Sequence, residues 1–173
     1  MNLINGISLS GIGFMMFGAM CYASGVRINT TKSIPVGIYL TSDAPVKKGA
    51  YVMFCPPDNA IFAEARERGY IGAGFCPGNY GYMMKRVLAA KNDTVSIADD
   101  GVRVNGMLLP LSEPHKTDLA GRPLPRFAGD QYTLNDSELL LMSDVTSLSF
   151  DGRYFGPVNI SQIKTVLRPV FTW

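Results

Sequence analysis

The sequence predicts a mainly β domain, a β-sheet or barrel with one short helix, preceded by a membrane-spanning N-terminal helix. Three observations carry this. No charged side chain occurs from Met1 to Val26. Beyond that stretch, short extended, apolar-rich runs recur between turn signals. Only one further segment has the caps and apolar face of a helix.

The N-terminal stretch Ile7–Val26 (ISLSGIGFMMFGAMCYASGV) is mostly apolar or small. It has about the length an α-helix needs to cross a ~30 Å hydrocarbon core. Its glycines (Gly11, Gly13, Gly18, Gly25) weaken a water-exposed helix but are common in membrane helices. A cleaved signal peptide normally brings a basic leading region, which is missing, and Cys21-Tyr22-Ala23 matches a cleavage site only loosely. A buried core helix is the remaining alternative. A retained single-pass anchor over 1–26 and a domain over 27–173 are therefore expected. Arg27 and Lys32 are too few for the positive-inside rule to set the orientation.

Within 27–173, strands are expected at Ile38-Tyr39-Leu40, Tyr51–Phe54, Tyr82–Ala89, Thr94–Ile97, Val102–Val104, Leu139–Met142 and Ile163–Val170. The short helix falls at Ala60–Arg68. Asp58 or Asn59 caps it, Ile61, Phe62 and Ala65 form its apolar face, and Gly69 ends it. Asp99-Asp100-Gly101 and Asn105-Gly106 predict two tight hairpins in succession, since these pairs suit turns with φ > 0. Glu113–Phe127, interrupted by Pro114, Pro123 and Pro125, reads as a long surface loop.

Composition narrows the function. The 173 residues carry 16 Lys+Arg against 14 Asp+Glu, a net charge of +2, which gives no electrostatic reason to expect nucleic acid as a partner. With 17% charged and 47% hydrophobic residues, bulk disorder is excluded. One His (His115) and three Cys (Cys21, Cys55, Cys76) cannot easily supply a zinc site of about four ligands, so no metal and no cofactor is expected. A Ser-His-Asp or Cys-His mechanism would have to run through His115 alone. A hydrolase built from this chain is therefore expected to work without histidine.

Three segments could carry such chemistry. In Asn29–Tyr39 (NTTKSIPVGIY), Ser33 sits in a Pro- and Gly-punctuated turn and reads either as a turn residue or as a nucleophile. In Gly81–Ala90 (GYMMKRVLAA), Lys85 shares a strand face with Met83 and Val87. A Lys on a buried face is unusual unless paired or snorkelling; the alternative is an exposed edge Lys. Arg86 is expected on the opposite, solvated face. In Ser143–Val158, Asp151 and Arg153 share a face if extended and can pair. The plainer reading is a surface ion pair worth ~0–1 kcal/mol.

Taken in order, these segments resemble the bacterial type I signal peptidase family, serine peptidases with a Ser/Lys dyad, and within it the conjugative-transfer (TraF-type) branch. The resemblance runs along the chain: an anchor, a Ser box, a Lys-Arg-Val box with hairpins after it, then Ser-x-Asp-x-Arg-Tyr-Phe-Gly. It implies that Ser33 is the nucleophile and Lys85 the general base. Thr31 stands where the family has a hydroxyl that helps hold the oxyanion, and Ser149 where a hydroxyl bonds the catalytic amine. Asp151 and Arg153 match a supporting ion pair. Asp144 matches the Asp of a Gly-Asp-Asn element whose Gly and Asn are Ser143 and Val145 here. Pro35 follows Ser33 by two residues, as in the transfer branch. Asn92-Asp93 replaces a Gly-Asp, and Gly152 replaces a Ser, which bears on local loop geometry.

The implied activity is a serine endopeptidase that removes the leader of a pilin precursor, with cyclisation of the product as an alternative outcome. Its partners would be a membrane-tethered, pilin-like substrate and the inner membrane, with the catalytic side facing the periplasm. For Lys85 to act as a base, its pKa must fall from ~10.4 to ~7–8. Burial under Met83, Met84 and Val87 can do this, provided that neither Asp144 nor Asp151 touches the amine. Substrate is expected to add as a strand beside Gly81–Lys85, at shallow pockets lined by Ile34, Val36 and Met84, with Tyr82 and Met83 adjoining. Cys55 and Cys76, each in a Phe-Cys-Pro, flank the helix and would form a disulfide in an oxidising compartment or stay as two buried thiols. The competing reading from another class is a non-catalytic, membrane-anchored β-domain that scaffolds the transfer apparatus. Ser161-Gln-Ile-Lys164 matches a penicillin-binding motif but lacks its partner motifs. A self-cleaving repressor would need a DNA-binding helical domain that residues 1–26 cannot form.

Overall fold

Alternating apolar and polar residues build two antiparallel sheets in the computed structural model, which describes residues 3–127 and 129–173, with side chains from residue 11 onward. The chain opens with helix α1 (Leu3–Ala23). Met1, Asn2 and the side chains of residues 3–10, all within the expected span over 1–26, lie outside the described part. Among the described residues, no helix is long and apolar enough to cross a membrane. α1 runs almost directly into the first strand, where Arg27 stacks over the Tyr22 ring at 4.0 Å and donates to the Tyr22 carbonyl at 2.9 Å.

Among the described residues eleven strands follow: β1 (Val26–Asn29), β2 (Gly37–Ser42), β3 (Tyr51–Phe54), β4 (Met83–Ala89), β5 (Thr94–Ala98), β6 (Gly101–Val104), β7 (Met107–Leu108), β8 (Tyr132–Thr133), β9 (Glu138–Met142), β10 (Val158–Asn159) and β11 (Ile163–Thr172). Seven form one sheet in the order β1-β2-β11-β3-β4-β9-β10, and four form a second in the order β7-β6-β5-β8. β11 thus lies between the β1–β2 hairpin and the β3–β4 pair. The two predicted hairpins join β5 to β6 and β6 to β7. Asn105 and Gly106 take φ of 52° and 81° in the second turn, the left-handed geometry that Asn-Gly favours.

Strand β4 positions the site. Its side chains alternate strictly, with Met83, Lys85, Val87 and Ala89 buried and Met84, Arg86 and Leu88 less so. One core gathers Val52, Phe54, Phe62, Val87, Leu141 and Phe155. The smaller sheet packs a second around Val95, Val102, Val104, Leu134 and Leu140. Helix α2 (Ala60–Glu67) forms where its caps predict it, with the Asn59 side chain accepting from the Phe62 N–H at 3.2 Å and Phe62 and Ala65 buried. A disulfide joins Cys55, just past β3, to Cys76. It closes the excursion that carries α2 back onto the core.

Two expectations change. Asp151 and Arg153 do not lie in an extended segment. Asp151 caps a one-turn helix, α3 (Gly152–Phe155), by accepting from the Arg153 N–H. Gly152 is required there by close approach, because a Cβ would lie 2.7 Å from Leu140 Cδ1 and 2.9 Å from the Leu141 carbonyl. Glu113–Phe127 is more ordered than a plain surface loop. It folds back on itself through Leu124 N–H to Lys116 O and Asp118 N–H to Arg122 O, both 2.9 Å, and is tied to α3 by the His115 N–H donating to the Tyr154 hydroxyl at 3.1 Å.

The disulfide spans 21 residues, and closing a loop of that size in the unfolded chain is worth about 3 kcal/mol. A Cys55→Ser/Cys76→Ser double variant is expected to lose about that much in denaturant unfolding. Free-thiol titration of the unreduced parent should find Cys21 alone; three thiols would remove the bridge.

Candidate active site

The segment between β1 and β2 carries Ser33 in a tight turn whose backbone is organised by one side chain. Asn29, 4% exposed, donates from Nδ2 to the carbonyls of Thr31 (2.7 Å), Ile34 (2.9 Å) and Pro35 (3.1 Å). Its Oδ1 accepts from the Thr31 N–H (3.2 Å) and the Thr31 hydroxyl (3.0 Å). Tyr39 adds a hydroxyl bond to the Pro35 carbonyl at 2.5 Å. The turn is therefore set before any substrate arrives. Sequence reasoning missed Asn29 and Tyr39; the one readable signal was Asn in a Pro/Gly-marked turn, a residue type that bonds local backbone.

Opposite this turn stands Lys85, 1% exposed. Its Nζ lies 3.0 Å from Ser33 Oγ and 2.7 Å from Ser149 Oγ. Burial pulls its pKa down from 10.5 to about 8; the negative Asp151 partly opposes this and the positive Arg153 assists it. The charged amine donates to both hydroxyls. The neutral amine has two N–H groups and one lone pair, so it can keep an N–H on Ser149 and turn the lone pair to the Ser33 O–H. An uncharged amine beside an alcohol in a dry site can take that alcohol's proton.

Asp151 and Asp144, the two carboxylates that the sequence kept off the amine, are both otherwise engaged. Asp151 and Arg153 are each fully buried and bonded twice, Nε to Oδ1 and Nη2 to Oδ2, both at 2.8 Å. Arg153 also donates to the carbonyls of Leu111, Glu113 and Ser149, so all five of its N–H groups have partners. Asp144 Oδ2 accepts from Arg86 Nη1 and from the Tyr51 hydroxyl, both at 2.9 Å. Burial, together with the bond to Asp144, pushes the Tyr51 hydroxyl up to about 12. Arg86 is therefore not a free solvated side chain: it pairs with Asp144, donates to the Gly49 carbonyl and lies over the Tyr51 ring.

Ser33, Lys85 and Ser149 open on a cleft of about 720 Å³, also lined by Thr31, Tyr82, Met83 and Met84 and walled by residues 115–124 of the folded-back loop. Ile34 and Val36 lie outside its lining. Ile34 is fully buried with Tyr39, Met53 and Leu167 because its side chain points into the sheet, and the Val36 carbonyl accepts from the Trp173 N–H. His115 borders the cleft, but its imidazole bonds neither Ser33 nor Lys85. β4 pairs with β3 along Met83–Arg86, whereas its pairing with β9 begins only at Arg86. The backbone of residues 82–85 therefore has an open edge on the β9 side.

Residues 6–173 match the family described as signal peptidase, peptidase S26. The chain is 68% identical over 168 residues to the plasmid transfer protein TraF of Escherichia coli, covering 97% of this chain and 94% of that one. It is 39% identical over 165 residues to the conjugal transfer protein TraF of Agrobacterium fabrum (strain C58), covering 93% and 92%. Among solved structures it is similar to a signal peptidase I from Enterococcus faecalis V583, at 20% identity and a TM-score of 0.44, covering 73% of this chain and 100% of that one.

Burial of Lys85 has a sign that stability can read. The native amine gives up its proton near 8 and the unfolded one near 10.5, so the unfolded state binds more protons between those values and stability rises with pH across that window. Below 8 the native state carries the whole penalty, about 3 kcal/mol. Lys85→Met is expected to raise unfolding free energy at pH 6–7 by up to that amount, with the gain gone by about pH 10.5. A difference from the parent that stays constant with pH would show that the amine is not desolvated.

Proposed function

The chain belongs to the signal peptidase S26 family, TraF type, and we propose that it is a membrane-anchored Ser/Lys endopeptidase that cuts the leader segment from a pilin precursor in a conjugative transfer system. The observation that carries this is the 3.0 Å approach of Lys85 Nζ to Ser33 Oγ inside a desolvated pocket. A scaffold needs neither residue, and burying an unpaired amine in one is a pure loss of stability.

Neutral Lys85 takes the Ser33 proton as Ser33 Oγ attacks the scissile carbonyl. The oxygen that gains charge faces the Ser33 N–H, which donates to no acceptor among the described residues. The intermediate collapses, the C–N bond breaks, and the Lys85 ammonium returns its proton to the leaving amine. Water then gives a proton to Lys85 and attacks the acyl-Ser33 ester, and the same amine reprotonates Ser33. An amine in place of water closes a peptide bond instead. Ser149 keeps the Lys85 lone pair pointed at the nucleophile without adding a charge that would hold the proton on Lys85.

The open edge of residues 82–85 supports an extended substrate added as a strand, with backbone bonds giving affinity and cleft side chains giving selectivity. The uncharged stretch Met1–Val26 supports the anchor, and tethering would raise the local concentration of membrane-held precursors. The Cys55–Cys76 bridge supports placement of the domain in an oxidising compartment such as the periplasm.

Ser33→Ala and Lys85→Ala are each expected to leave precursor uncut, with activity reduced at least a thousandfold, while near-UV circular dichroism matches the parent. Parent kcat/KM should rise with pH through a midpoint near 8. Normal precursor processing by either folded alanine variant would favour the scaffold.

A further inference from the structure

Resting on the peptidase reading, the geometry points to Ser143 as the positioning residue that aims the Ser33 N–H into the cleft for oxyanion binding. Ser143 is 1% exposed and lies on the loop after β9, far from Ser33 in sequence. Its hydroxyl donates to the Lys32 carbonyl at 3.2 Å. Its lone pairs accept from the Val145 N–H (3.3 Å) and the Thr146 N–H (3.2 Å). A hydroxyl has one proton and two lone pairs; all three are used, so the hydroxyl cannot rotate without breaking a bond.

The bond falls on the peptide that matters. Lys32 C=O and Ser33 N–H belong to one planar trans unit and point in opposite directions. Holding the carbonyl against Ser143 turns the N–H away from the protein, and that N–H is the one left without an acceptor. The Thr31 hydroxyl, expected to share the oxyanion, donates to Asn29 Oδ1 instead, which leaves the Ser33 N–H as the principal donor.

Ser143 is itself held by the ion pair. Its own N–H donates to Asp151 Oδ2 at 3.0 Å, Asp151 is clamped by Arg153, and Arg153 Nη2 donates to the Ser149 carbonyl at 3.2 Å. One buried chain of bonds, from Lys32 through Ser143, Asp151 and Arg153 to Ser149, thus fixes both the oxyanion donor and the hydroxyl that holds Lys85. The pair acts at a distance from the amine and, through Ser143, on the other half of the chemistry.

The test is steady-state cleavage of a precursor-derived peptide by Ser143→Ala, with Ser33→Ala as control. A peptide N–H that is present but misdirected loses much of an oxyanion donor's effect, which is of order 10²–10³ in kcat for a deleted donor. Ser143→Ala is expected to lower kcat at least tenfold, leave KM within about twofold, and leave the pH midpoint in place, because Lys85 and Ser149 are untouched. Ser143→Thr, which restores the hydroxyl, should recover most of kcat. If Ser143→Ala does not fold, Ser143→Cys keeps the volume, weakens the donated bond and carries the same expectation. Wild-type kcat in folded Ser143→Ala, or a shifted pH midpoint, overturns the assignment while the peptidase reading stands. Full cleavage by Ser33→Ala overturns that reading instead.

Discussion

The desolvated amine of Lys85 is the constraint around which the rest of the molecule is arranged. A free Lys is protonated at neutral pH, and an ammonium in a dry pocket is held there only at a cost. Burial alone favours the neutral form, but a fully buried carboxylate, Asp151, lies near enough to work against it. Arg153 offsets that field by taking both Asp151 oxygens in a bidentate bond. The remaining partners of Lys85, Ser33 and Ser149, are neutral hydroxyls that direct the nitrogen without stabilising its charge.

That arrangement depends on the sheet. Strict alternation along β4 puts Lys85 on the buried face between Met83 and Val87, and Arg86 on the other, where Asp144 and Tyr51 receive it. A shift of one residue in the β3–β4 register would exchange the two cations, sending the guanidinium inward and the amine out. The pairing of Val52 with Lys85 and of Tyr51 with Arg86 therefore sets the chemistry as much as the side chains do.

Much of this was legible beforehand. Period-2 alternation put Lys85 on one face with Met83 and Val87 but left an exposed edge Lys open, whereas the strand runs, the two hairpins and the short helix, capped by one of its two candidates, Asn59, formed where turn and cap residues placed them. Short elements held by tertiary contacts were not legible: β1, β8 and β10 span two to four residues, too short for periodicity. The α3 turn was hidden because its cap, Asp151, also reads as an ion-pair partner. The placement of Ile34 was missed because a turn residue next to the nucleophile looks like pocket lining, whereas the Asn29 bonds rotate its side chain into the core. The wall formed by Glu113–Phe127 rests on bonds between segments distant in sequence, which no local pattern encodes.

The position of β11 has a consequence in time. Ser33 hangs from the β1–β2 hairpin and Lys85 from β4. Within the sheet these two parts touch only through β11, whose register runs Val166–Thr172 along β2 and Ile163–Leu167 along β3. The strand that joins them is made long after both. A nascent chain on the ribosome therefore holds this alcohol and this amine on unconnected pieces, and the topology of the sheet keeps the pair apart until the last strand has been made.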